Sequence, residues 1–230
     1  MVLQKKIIAL LLGATLGLLF LSLPVSQIIA TGNQHFTLFD LTAPTLGAFI
    51  GSGWGAATVI IVKLVHAFST NQALDTITII RLFPLAMAAL YFGARRSKFI
   101  IALIPLICMA LFIMHPEGRQ AWYYALYWLI PVVAIFAKRS LVLNSLGATF
   151  TAHAIGGVTF LYALNLSAEV WIALIPIVFI ERMIFTAGTA VSYVALNSLA
   201  NWLHVKLHVP MPARLIQPEY TFSRALLKNL

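Results

Sequence analysis

Seven apolar stretches leave this chain almost no residues for anything else. They run over 7–30, 36–68, 76–93, 98–114, 119–137, 142–165 and 170–197. A helix needs about 20 apolar residues to cross ~30 Å of hydrocarbon. In lipid every backbone polar group must be satisfied internally, which leaves helices or closed barrels. Charged residues make up only 9% of the 230, against roughly a quarter in a water-soluble domain. The chain is therefore expected to be all-α: a polytopic transmembrane helix bundle of seven or eight helices, one of them broken or re-entrant. Residues 1–200 are read as a single transmembrane domain. Residues 201–230 are read as a cytoplasmic basic tail with an interfacial segment.

The formal net charge of +9 does not point to nucleic acid, because the basic residues fall in short clusters beside apolar runs. "GARRSK" (93–98), "AKRS" (137–140) and the tail with Lys206, Arg214, Arg224 and Lys228 read as topology control. By the positive-inside rule these clusters belong in the cytoplasm, which puts Asp75, Glu117 and Glu169 outside. Lys5 and Lys6 join the cytoplasmic set only if 36–68 crosses twice, as a helix over 36–50 and another over 51–68. Glycines at 47, 51, 53 and 55 favour a break there. "LTAPTLG" favours a helix start instead, with Thr42 as N-cap and Pro44 in the first turn. The apolar run from Ile7 to Ala30 exceeds the 7–15 residues of a signal-peptide core, so it is read as a first membrane helix. An integral protein of a prokaryotic plasma membrane, C-terminus cytoplasmic, is the expected setting.

Six ionisable residues lie at membrane depth: Lys63, His66, Arg81, His153, Glu181 and Arg182. A charge at a helix centre costs roughly 2.5–3.5 kcal/mol on insertion scales. Glu181 is central and cannot reach an interface. Arg182 lies about 100° around the helix from it, so each is expected to pair with another helix rather than with its neighbour. Trp122, Tyr123, Tyr124, Tyr127 and Trp128 crowd the outer half of the fifth apolar run, as an interfacial belt or as the wall of a site. Trp54, Trp171 and Trp202 are read as belt residues. Together these positions suggest an outward-facing cavity with Lys63 and Arg81 at its mouth and His153 and Glu181 at its floor. Such a cavity suits a small, polar, ring-containing molecule, held by stacking on Trp122, Tyr123 or Tyr127. No cofactor or metal is called for. His204 and His208 have a ligand-like i, i+4 spacing but no acidic company. The single Cys108 rules out an intrachain disulfide.

"FDLTAPTLGAFIGSGWGAATVIIVKLVHAF" resembles a segment of the substrate-binding S components of energy-coupling factor vitamin transporters. The residues that carry the resemblance are Asp40, Leu41, Pro44, Gly51 to Gly55 and Lys63. Ala9, Gly13 and Gly17 resemble the small residues, four apart, with which that family's first helix docks a partner membrane subunit. The resemblance covers residues 1–95. It departs in having Gly51-Ser52 where the family commonly has Gly-Pro, and in a count of seven or eight helices where the family has six. It implies a substrate-binding subunit for uptake of a vitamin-like molecule, with membrane lipids around it and separate coupling and ATPase subunits as partners. No P-loop "GxxxxGK[ST]" is present, so ATP hydrolysis by that route falls to another chain. Three other functions are compatible with the same residues. One is an intramembrane hydrolase or protease using His153 and Glu181, with Ser52 as nucleophile. The others are a proton-coupled carrier acting through Glu181 and a structural membrane protein.

Overall fold

The computed structural model describes residues 13–26, 36–94, 98–136, 140–206, 208 and 216–222. The first described helix, α1, covers 13–21 and stops short of the run read as continuous to residue 30. Pro24 ends it. β1 (Pro24–Ser26) then pairs antiparallel with β2 (Phe36–Thr37), and every other regular element among the described residues is helical.

α2 (Leu38–Ile50) starts four residues before the expected N-cap. The Thr37 backbone N–H and its hydroxyl both donate to Asp40 Oδ2, at 2.8 and 2.9 Å. This local pairing overrides the start read from Thr42 and leaves Pro44 inside the helix. The helix ends at Gly51, whose φ of 101° is closed to most side chains. α3 (Ser52–Ser69) folds straight back. A Cβ on Gly55 would strike the backbone of Gly47, and Gly17 meets Phe39 of α2 and Val62 of α3. Residues equidistant from the break thus touch, so α2 and α3 are an antiparallel hairpin. The division at 50/51 is the one expected for two helices in 36–68.

The remaining chain continues up and down. α4 (Thr76–Ile80) is capped by Asp75, whose carboxylate accepts the Thr78 N–H. It leads through Arg81 and Leu82 into α5 (Phe83–Gly93), with Pro84 in the first turn. Then come α6 (Lys98–Met114), α7 (Pro116–Gln120), a 3-10 helix Trp122–Trp128, α8 (Leu129–Ala134), α9 (Leu141–Leu164) and α10 (Ala168–Lys206). The fifth apolar run is therefore two short pieces of different pitch.

Small residues set the spacing. Gly47 lies against Ala89 and Gly93, Gly147 against Tyr91, and Gly157 against Trp128. The pairs Pro84–Gly156 and Tyr91–Gly147 make α5 and α9 antiparallel, and Thr149 bonds Thr186 across α9 and α10.

These contacts sort the connections. The ends of α2 and α5 and the start of α9 gather at one end, where Asn144 Nδ2 donates to the Phe92 carbonyl. The basic residues Arg95, Arg96, Lys138 and Arg139 lie outside the described residues, but the helix ends flanking them are here. Glu117 and Glu169 are together at the opposite end, where Glu117 Oε2 accepts the Ala168 N–H. Asp75 is at that end too, since α3 rises toward it in parallel with α1.

Among the described residues four helices are long and apolar enough to cross a membrane: Ser52–Ser69, Thr76–Gly93, Leu141–Leu164 and Ala168–Lys206. α10 has 39 residues, about 58 Å at 1.5 Å per residue. It absorbs "NWLHVK", which the sequence suggested as part of a separate interfacial tail. His204 is in the helix and His208 lies beyond it, so the i, i+4 pair is not formed on one helix face. Among the described residues no cluster of metal ligands exists.

The turn between α9 and α10 needs one special residue. Asn165 caps α9 in the left-handed conformation, φ 47° and ψ 45°. Asn165→Gly is expected to be neutral within a few tenths of a kcal/mol, and Asn165→Val to cost about 1–2 kcal/mol. Thermal unfolding in detergent reads the difference.

Candidate functional site

The bundle has two packed halves and a gap between them. Phe39, Ala43, Val59, Val62 and Ala86 knit α1, α2, α3 and α5 together. Phe112, Tyr124, Trp128, Leu161 and Trp171 knit α6, the 3-10 helix, α9 and α10. A third cluster, with Tyr91, Phe92, Ala148 and Tyr193, closes the basic-loop end. Above it the halves stand apart around a cavity of about 890 Å³. Its walls use the acidic-loop halves of the helices: 40–44 of α2, 63–67 of α3, 84–88 of α5, 149–164 of α9 and 170–185 of α10. That volume suits a drug-sized molecule.

Four residues expected at a site line this one cavity: Lys63, Arg81, His153 and Glu181. Near the mouth, Lys63 Nζ donates to the Arg81 carbonyl at 2.9 Å, and the Arg81 guanidinium lies 6.0 Å from the Phe160 ring centroid. His66 lines the same region, one helical turn from Lys63, and Asp40 faces them from α2.

The floor corrects the expectation for Glu181 and Arg182. They pair with each other, Arg182 Nη2 to Glu181 Oε2 at 2.9 Å. An angle of about 100° separates their Cβ directions, but two long side chains on one wall can close it. The same guanidinium lies 4.5 Å over the Phe185 ring, an attraction that strengthens with desolvation. Its Nε is buried without an acceptor among the described residues. Arg182 is thus a cavity residue that the helical-wheel reading set aside.

His153 is held on both nitrogens. Trp128 Nε1–H donates to Nδ1 at 3.0 Å, and Nε2 is 2.7 Å from the Tyr124 hydroxyl. Tyr124 lines the cavity, as does Trp171, which is buried rather than in a surface belt. Trp122 and Tyr123 do not line it. They are exposed, ring edge to ring face with each other. Tyr127 does not line it either: its hydroxyl donates to the Ile175 carbonyl and its ring packs between Phe150 and Phe179. No face of the aromatic run could be chosen from the sequence, because a 3-10 helix repeats every 3.0 residues rather than 3.6.

The other expected positions lie elsewhere. Ser52 opens α3 at the far end from Lys63 and does not line the cavity. Gly13 and Gly17 face α2 and α3 of this chain, against Leu46, Phe39 and Val62. Ala9 lies outside the described residues. Trp54 and Trp202 are exposed, as belt residues would be.

No family model matches the chain, and no solved structure matches it. It is 26% identical over 204 residues to a protein of Methanocaldococcus jannaschii, across 80% of this chain and 68% of that one. That protein is itself described only as uncharacterized.

Proposed function

We propose that this chain is a membrane-embedded substrate-binding subunit for uptake of a small, vitamin-like molecule, working with separate coupling and ATPase subunits. The observation that carries the reading is the cavity. It is large, and it combines apolar walls with a few convergent polar groups, the usual composition of a small-molecule site. It opens toward the acidic connections, which the positive-inside rule assigns to the outer face. In this reading eight antiparallel rods cross or enter the membrane: α1, α2, α3, α4 with α5, α6, the 3-10 helix with α8, α9 and α10. The short α2 is half of a hairpin whose Gly47 packs against Ala89 and Gly93 of α5, while the break itself, at Gly51, is exposed at the basic-loop end of the bundle. The resemblance of residues 36–68 to energy-coupling factor S components is in keeping with a captor that hands its cargo to partners.

The test is retention by the purified chain in liposomes. Vesicles are incubated with a culture-medium extract, separated from free solute and analysed by mass spectrometry. A subunit that only binds retains about one equivalent of one solute per chain, with or without a proton gradient. Retention of none overturns the reading. Accumulation of many equivalents under a proton gradient assigns an autonomous carrier instead.

A further inference from the structure

The contacts from Trp128 through His153 to Tyr124 have a direction. An indole N–H can only donate, and it donates to His153 Nδ1. A nitrogen that accepts carries no proton, so the ring holds its proton on Nε2. A doubly protonated ring would set an N–H against the Trp128 N–H. The Nε2–H therefore donates to the Tyr124 oxygen at 2.7 Å. The tyrosine keeps its own proton, and among the described residues its hydroxyl makes no second hydrogen bond. Trp128 is fully buried and Tyr124 is 2% exposed, locked by ring contacts to Phe112 and Trp171. Tyr124 and His153 meet on the cavity wall, which leaves the cavity as the place for that proton.

The charge on the same wall fits a neutral partner. Arg182 and Glu181 both line the cavity and pair with each other, so the guanidinium is neutralised and the pair adds no net charge beside the Tyr124 hydroxyl.

We propose that Tyr124 is a fixed hydrogen-bond donor to the bound molecule, which presents a neutral carbonyl or ring-nitrogen acceptor at its inner end. Trp128 and His153 act as positioning residues that set the hydroxyl's direction. This rests on the binding reading above and adds to it the chemistry of the ligand's buried end. A wall that cannot turn its donor round discriminates against a molecule lacking the acceptor, because the buried O–H is then left unpaired.

Two planar probes of similar size separate the possibilities: 2-benzimidazolinone, a ring urea with a carbonyl, and indane, which has no acceptor. Binding is followed by tryptophan fluorescence of the full chain in lipid nanodiscs, with protein-free discs as blank. The wild type is expected to prefer 2-benzimidazolinone by about tenfold, and Tyr124→Phe to reduce that preference to about twofold or less. A preference unchanged in Tyr124→Phe overturns the donor assignment and leaves the binding reading standing. Binding of neither probe overturns both. Nitrogen-15 NMR of the wild type labelled at histidine needs no variant to fold. A His153 proton on Nε2 at pH 7 is the expected result, and a proton on Nδ1 or on both nitrogens overturns the assignment without touching the binding reading.

Discussion

Gly47→Leu is expected to destroy the fold, lowering stability by at least about 3 kcal/mol, while Gly53→Leu changes it by less than about 1 kcal/mol. Both glycines flank the same break, so composition does not distinguish them. Contacts do. A Cβ on Gly47 would fall on the Ala89 carbonyl and beside the Gly93 nitrogen, and Gly55 leans on Gly47 from the third helix. Three backbones meet at this point with nothing flexible to move aside. Overpacking a side chain against side chains typically costs 1–3 kcal/mol. Here α2 must separate from α3 and α5, and close backbone approach is what holds helices together in lipid. Nothing lies within 4 Å of a Cβ on Gly53. The check is the fraction of monodisperse protein after a temperature series in detergent. Similar curves for the two variants would refute the three-helix junction.

The second large effect concerns the ion pair on the floor. Glu181→Leu alone is expected to cost about 3–5 kcal/mol, since removing one partner leaves a largely buried charge uncompensated. Arg182→Leu alone should cost a similar amount. Replacing both should recover most of the loss, because a well-packed apolar pair often matches a buried ion pair in stability. The pair is 2.9 Å apart with side-chain exposures of 12% and 16%, so water screens it little. A double-mutant cycle on thermal unfolding gives the coupling. Strict additivity would mean that the pairing contributes nothing to the fold. Ligand retention should be lost in the double variant even where stability returns, since both groups line the cavity. The milder Glu181→Gln should weaken retention and leave membrane insertion intact.

Much of this arrangement was legible in the sequence because lipid is an unforgiving solvent. Runs of about 20 apolar residues have few alternatives to helix, and α9 and α10 begin within one or two residues of their apolar runs. Glycine at 51 marked the hairpin because only its backbone takes that φ without strain. Lys63, Arg81, His153 and Glu181 stand out because ionisable groups at that depth need a shared polar space.

What failed was anything that depended on packing or on local hydrogen bonds. The start of α2 turned on Asp40 reaching back to Thr37. The fate of "WYYALYW" turned on a 3-10 pitch with no periodic signature, so Tyr124 entered the site in place of Trp122, Tyr123 and Tyr127. Arg182 was set aside by Cβ direction alone. The end of α10 is not legible because hydropathy falls after Asn197 while the helix continues to Lys206. Two facts hold that region in place: Asn197 Nδ2 donates to the Gln217 and Tyr220 carbonyls, and the Tyr193 and Tyr220 rings meet edge to face.

The most direct test of a ligand-binding cavity is to ask what the protein carries. The wild type and Gly156→Leu would be purified in mild detergent, denatured, and the released small molecules measured by mass spectrometry. Gly156 lines the cavity, and a Cβ there meets only Pro84, at an ordinary 3.7 Å. A leucine should therefore occupy the space without breaking the fold, which a thermal melt verifies. One compound released in about equal amount to the wild-type chain, and absent from a folded Gly156→Leu, is the predicted result. The same compound at the same level in both proteins, or none in either, would contradict it.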